Sequence, residues 1–434
     1  MSNKYYDIII IGSGLAGLYS AYNIKKLSPN TSFLILEKFK KKWIGGRTNN
    51  ETFFNTQIVT GAGIGRKQKD ILMVKLLKEL NITAPEFNFK VNYASTFTPV
   101  DITKIMDYLR KEYKNVYKTL KPENTTFKQF ASKVLGENLY KRFLISVGYT
   151  DYENEDINET LFSYGMEDNK CCWKGLHTPW HKLIMKLYDT IGTKNVKFSQ
   201  DVIHINKNTN TNTNTNTNTN TNKNTNTNNY RYLIQTEEGN QYTCGKVIIA
   251  TTITSLRKLL PSYSIYNEIE GQNFLRLYGK FTKASSLIMK QYVECYTIVP
   301  GPLQKIIPMD ANKGVYMIAY SDNMNATLLK KYLDNNETNR HFFCVLLEKS
   351  LGIPENSLQL IAIKDFYWPI GTHYYKPLQQ NIYKNREQFI EKAQHPEKNM
   401  LVVGELISEN QGWTEGALES VKNVLTKKWI ENNN

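Results

Sequence analysis

Asp7-Ile8-Ile9-Ile10-Ile11-Gly12-Ser13-Gly14-Leu15-Ala16-Gly17 decides the fold: a buried-strand run breaks into GxGxxG, and an acid, Glu37, follows Gly17 by twenty residues after a second apolar run, Phe33-Leu34-Ile35-Leu36. The spacing has a physical reason. Gly12 permits a tight turn, Gly14 lets backbone N–H groups approach a pyrophosphate at a helix N-terminus, and Gly17 lets helix pack on strand. Leu15 and Ala16 open that helix. Glu37, at the end of the second strand, is placed to accept hydrogen bonds from an adenosine ribose, with Lys38 beside it. The segment reads as a dinucleotide cradle; a glycine turn that binds nothing is the plainer alternative.

Further along stand Trp43-Ile44-Gly45-Gly46-Arg47-Thr48, then Gly61-Ala62-Gly63-Ile64, and near the end Val403-Gly404-Glu405 followed by Gly412-Trp413-Thr414-Glu415-Gly416-Ala417. With the first turn these blocks, in this order, resemble the flavin-containing amine oxidase family, which includes monoamine and polyamine oxidases and L-amino acid oxidases. The resemblance covers both ends of the chain well and the middle poorly. It implies FAD as cofactor and an α/β fold, a Rossmann-like FAD-binding domain beside a substrate domain of mixed sheet and helices. By position it assigns Gly12, Gly14, Gly17 and Glu37 to the nucleotide, Gly45, Gly46 and Arg47 to the pyrophosphate, and Gly61, Ala62, Gly63 and Ile64 to the flavin ring. Val202 is implied at the adenine, Thr251 near the pyrophosphate, and Gly404 and Glu405 at the ribityl or pyrophosphate region. Trp413, Thr414 and Ala417 belong to a helix start aimed at the flavin, whose positive end favours an anionic reduced ring.

The implied reaction is oxidation of a C–N bond in an amine or amino acid by hydride transfer to flavin N5, with dioxygen as acceptor and hydrogen peroxide as product. No side-chain nucleophile is needed. Beside N5 the family keeps a lysine that holds a water, on a strand after a glycine-containing turn. In Tyr278-Gly279-Lys280-Phe281-Thr282-Lys283 that reading favours Lys283, with Lys280 as fallback and a surface lysine as the bland alternative for each. In Phe366 to Tyr375, Tyr374 is the expected aromatic wall opposite Trp413, with Tyr375 as the neighbour that could point inward instead. His373 stands near the place where some monoamine oxidases link flavin to cysteine; a thioether is excluded by its identity, and a histidyl link is the less expected alternative to a non-covalent flavin. An amino acid substrate would need a cation for its carboxylate, for which Arg66 and, more weakly, Arg142 are candidates. Other chemistry on the same fold (a desaturase, a porphyrinogen oxidase, a sugar mutase) and a flavin-binding protein without turnover remain open alternatives.

The 434 residues, 41% of them hydrophobic, suffice for two or three domains. The FAD domain is expected from residues 1–70, 195–285 and 395–434, and the substrate domain from 71–194 and 286–394. Residues 71–190 read mostly helical. From Asn208 to Asn228 the chain is nearly pure Thr-Asn alternation, which has no apolar side chain to bury. It is expected to be a disordered tip within a hairpin of the FAD domain.

The net charge of +15 and pI near 9.2 raise nucleic acid as a partner, but no zinc module, basic heptad helix or aromatic RNA-binding signature accompanies the basic knot Lys38, Lys40, Lys41, Lys42. A solvated basic surface is the simpler reading. No run of about 18 apolar residues suggests a membrane span, and neither a secretory leader nor a C-terminal anchor is recognisable, so a soluble intracellular protein is expected. Five cysteines show no metal spacing, and Cys171-Cys172 reads as two ordinary thiols. The acids Asp151, Glu153, Glu155 and Asp156 read as a solvated loop.

Overall fold

The computed structural model describes residues 4–120, 124–166, 172–208, 231–379 and 381–432. The isoleucine run forms strand β1 (Tyr5–Ile11), whose Ile8, Ile9 and Ile10 are wholly buried because both faces of the strand are covered. Helix α1 (Leu15–Leu27) follows, then β2 (Phe33–Leu36), which pairs parallel with β1. On the other edge of β1 lies β3 (Gln241–Ile249), also parallel, with Ile11 opposite Ile249. The strand Tyr232–Thr236 pairs antiparallel with β3 and carries Val202–Lys207 antiparallel on its outer edge, and Met400–Val402 pairs parallel with the second half of β3. The meander expected around the Thr-Asn tract is therefore present; the tract itself, up to residue 230, lies outside the described residues.

Helices α2 (Ile71–Glu79), α3 (Trp180–Ile191) and α4 (Thr414–Val424) pack on α1, and Leu76, Leu77, Trp180, Leu183, Leu187, Leu418 and Val421 share one core with Ile8 and Ile10. Both α2 and α3 had been expected with the substrate domain. They pack with the first sheet because their buried stripes face α1 and α4.

A second sheet is built on β4 (Ile269–Phe281), flanked antiparallel by β5 (Val315–Asp322) and β6 (Leu360–Tyr375). The expected boundary at residue 285 put β4 with the first sheet, but it is a central strand of the second. Its near-continuous burial, Phe274 to Tyr278, explains the misreading, since a strand covered on both faces looks alike in either sheet. Two side chains lock this sheet to the loop before Gly61: Tyr278 donates from its hydroxyl to Val59 O at 2.6 Å, and Trp368 donates from Nε1 to Thr60 O at 2.7 Å. A helical cluster around Phe127, Phe143 and Tyr152 forms a separate core.

Candidate active site

The first glycine turn has the stereochemistry its sequence demands. Gly12 sits at φ 103°, and a Cβ there would stand 2.5 Å from Ala250 O; a Cβ at Gly17 would stand 2.0 Å from Gly12 O. Around Gly14, which precedes α1, nothing lies within 4 Å of a Cβ position, so the approach to the helix start is open. Gly14 is bridged in parallel to Gly45, and Gly45 N donates to Ser13 O at 2.9 Å, which brings the second glycine turn onto the first. Leu15, Ala16 and Thr251 lie in or against the turn, with Thr251 Cγ2 3.8 Å from the Cβ position of Gly12.

Glu37 is buried and receives three hydrogen bonds, from Ser13 N (2.7 Å), Ser13 Oγ (2.8 Å) and Phe39 N (2.9 Å). Its backbone also holds the chain before Val202: Gln200 N donates to Glu37 O at 2.8 Å, and Lys38 pairs with Asp201 at 2.6 Å. The expected ribose acid, Lys38 and Val202 are thus one neighbourhood, with Lys38 acting as a surface tie.

Arg47 joins the glycine turns to the C-terminal motif. Its Nη1 donates to Glu405 Oε1 (2.7 Å) and to Gly371 O (2.8 Å), and its carbonyl accepts from Ala62 N (2.7 Å) while leaving no room for a side chain on Gly61. Glu405 also accepts from His373 Nδ1 (2.5 Å) and Gly412 N (2.9 Å). Burial alone would raise this carboxyl; His373 and Arg47 outweigh it and hold Glu405 far below the usual carboxylate range. His373 accepts from Ile253 N at Nε2 (3.1 Å), so the Nδ1–H tautomer is fixed and both ring nitrogens are occupied. That arrangement disfavours a histidyl link.

Trp413 precedes α4, and the N–H groups of Thr414 and Glu415 have no acceptor among the described residues, as a helix start offered to a ligand requires. Gly404, at φ 129°, and Ala417, buried in the first turn, frame it. Arg66, weighed as a carboxylate cation, instead stacks on Trp413 at 3.7 Å and pairs with Asp70 at 2.7 Å. Arg142 is exposed and donates to Thr98 O at 3.3 Å. A cavity of about 280 Å³ beside Trp413 is lined by Arg66, Glu155, Tyr164, Tyr375 and Glu409 among others.

Several expectations are corrected. Lys283 is exposed on the first turn of a helix, Lys283–Tyr292, rather than on a strand, because Thr282 caps that helix by accepting from Ser285 N. Lys280 reaches Lys313 O at the far end of β4. The cation on the strand beside the Gly61–Ile64 loop is Arg276: a Cβ at Gly63 would meet its Nη2 at 3.4 Å. The sequence signal that could have found it was the register of β4, in which Arg276 and Tyr278 share the face that meets residues 59–63. Tyr374 lies opposite Glu270 in the pairing of β4 and β6, whereas Tyr375 lines the cavity with Trp413, since alternate residues of a strand face opposite ways. The acids of 151–156 are not a solvated loop: Glu155 and Asp156 are buried, Asp156 receives Leu378 N at 2.7 Å, and Arg386 pairs with Asp156 and Glu159 at 3.4 and 3.1 Å. Cys172, expected as a thiol, is disulfide-bonded.

Among the described residues no group of three His, Cys, Asp or Glu is placed for a metal, and no helix is long and apolar enough to cross a membrane. No family model matches the sequence. An uncharacterized protein of Acanthamoeba polyphaga mimivirus is 24% identical over 482 aligned positions, covering 97% of this chain and 93% of that one. Among solved structures, putrescine oxidase bound to putrescine superimposes with a TM-score of 0.72 at 12% identity, over 97% of this chain and 98% of that one. A double mutant of the same enzyme, made in a redesign of its cofactor binding, gives 0.72 at 13% identity over 98% and 99%. The chain therefore has the two-domain fold of putrescine oxidase, a flavin amine oxidase.

Proposed function

We propose that this chain is an FAD-dependent, amine oxidase-like oxidoreductase acting on an amine or amino acid. The observation that carries the reading is the convergence of two glycine turns, the Arg47–Glu405–His373 network and the free helix start at Thr414, drawn from four distant segments, on one continuous cradle. These groups fit FAD. Gly14 and Gly46 leave backbone room for a pyrophosphate beside the start of α1, Gly45 permits the tight turn between them at φ 85°, Arg47 supplies positive charge, and Glu37 supplies a ribose acceptor. When bound, FAD would supply the two-electron acceptor for C–N oxidation, with dioxygen as the final oxidant and hydrogen peroxide as product. The chain's own work is then positioning: Trp413 and Tyr375 wall the cavity, Arg66 stacks on Trp413, and the second sheet, held by Tyr278 and Trp368, closes over the Gly61–Ile64 loop.

The test is the absorbance spectrum of the purified protein, followed by a panel of amines and amino acids added without oxygen. Bleaching of the flavin band by one compound supports the reading; absence of flavin ends it. One observation favours a second reading, a flavin protein without oxidase turnover: the residue against Gly63 is Arg276, where the resemblance implies a lysine. A flavin band that no amine bleaches would support that alternative.

A further inference from the structure

Arg276 and Lys305 are two buried cations that share one tyrosine ring. The Arg276 guanidinium carbon lies 4.0 Å from the centroid of Tyr320, and Lys305 Nζ lies 4.1 Å from it and 3.0 Å from that of Tyr149. Arg276 is 6% exposed and Lys305 0%. Neither has a carboxylate within ion-pairing reach among the described residues; Arg276 makes polar contacts with Met317 Sδ at 3.7 Å and with the side chain of Tyr320, and Lys305 Nζ has no hydrogen-bond partner. By contrast Arg47, Arg66, Arg257 and Arg386 each hold a carboxylate at 3.1 Å or less. The nearby Asp322 is already engaged by Thr150 N, Thr150 Oγ1 and Gln304 Nε2, and Asp151 by the hydroxyl of Tyr164, which lines the cavity.

A buried charge without a partner is costly, and two side by side more so; such a pair is tolerated where an anion completes it. A guanidinium is always charged and its fork matches a carboxylate. We infer that Arg276, backed by Lys305, is the carboxylate-binding subsite of this enzyme, so that its substrates are amino acids or other amines bearing an acid group rather than plain diamines such as the putrescine of its structural neighbours. The inference rests on the proposed function for its substrate's amine, but not for the binding of the anion, which can be read separately.

The experiment measures melting temperature of the full-length protein as isolated with benzoate and, as the isosteric cation, with benzylamine. Benzoate is expected to stabilise the wild type in a saturable way and benzylamine to do so at least tenfold more weakly. Arg276→Met is expected to weaken the benzoate effect at least tenfold, with Arg276→Lys intermediate because it keeps charge but loses the fork. Stabilisation by benzylamine and not by benzoate, no response to benzoate, or a benzoate response unchanged in Arg276→Met would overturn the inference. Should Arg276→Met fail to fold, the wild-type comparison and Arg276→Lys still decide. On flavin-loaded protein, anaerobic bleaching by ornithine but not by putrescine, its decarboxylated counterpart, supports the inference, and the reverse preference sinks it while leaving the amine oxidase reading intact. Absence of flavin would sink that reading, with the benzoate comparison still deciding the subsite.

Discussion

A methyl group is enough to test the cradle. Adding one at Gly17 places carbon 2.0 Å from Gly12 O, a backbone atom that cannot swing aside. Gly17→Ala is therefore expected to cost about 1–3 kcal/mol or more and to purify with less than about a tenth of the wild-type cofactor; equal flavin absorbance per protein would contradict the role assigned to this turn. Lys305 gives a prediction of opposite sign. Burial pulls its pKa from 10.5 down to about 7, against the pull of Asp322 and Asp151. A lowered lysine pKa means that the folded state pays its full cost below about pH 7 and is relieved of it as pH rises toward 10.5. Lys305→Met should accordingly stabilise the unliganded protein, by about 1–4 kcal/mol near pH 6 and by much less near pH 10, in denaturant titrations at the two pH values. A gain independent of pH would show that the lysine is not a desolvated charge.

At the scale of elements, α2 has its start held by a residue 343 positions from Leu72: Glu415 accepts from Leu72 N at 2.6 Å and from Met73 N at 3.0 Å. This carboxylate does for α2 what a local cap does elsewhere, and it fixes α4, and so Trp413, against the nucleotide side. Glu415→Ala is expected to lower stability by about 0.5–2 kcal/mol, read as a lower denaturation midpoint. The same scale shows what could be read in advance. The cradle was legible because GxGxxG, the acid at Glu37 and the Gly-Gly-Arg turn are local patterns with local causes. The substrate side was not. Whether Arg276 or Lys283 meets Gly63 depends on the register between β4 and a loop 200 residues earlier, and whether Tyr374 or Tyr375 faces Trp413 depends on a single step of strand alternation. The helical periodicity of 71–79 and 180–191 was also plain, while the surface those helices cover was not, since an amphipathic stripe does not say what it faces.

For the whole molecule, the first sheet tolerates a long insertion without interruption. Lys207 pairs with Tyr232, and Asn208 N donates to Arg231 O at 2.8 Å, so the two strands close on each other at the first residue of the Thr-Asn tract. Replacing residues 209–230 by Asn-Gly, a two-residue hairpin turn, should leave the denaturation midpoint and the flavin content unchanged within error. A loss of either would mean that the tract contributes to the fold. The corrected membership of α2, α3 and β4 points the same way: the two sheets exchange segments repeatedly along the chain, and the site lies where those exchanges meet.

The Arg47–Glu405–His373 network has a bearing on biosynthesis. Arg47 and Glu405 enter the chain 358 residues apart, the helix start at Thr414 comes later still, and β1 itself needs β3 at its edge. During translation the first glycine turn must therefore wait, incomplete, for nearly the whole polypeptide to emerge. If the cradle holds FAD as proposed, its capture is expected only after Glu405 and the helix start at Thr414 have emerged.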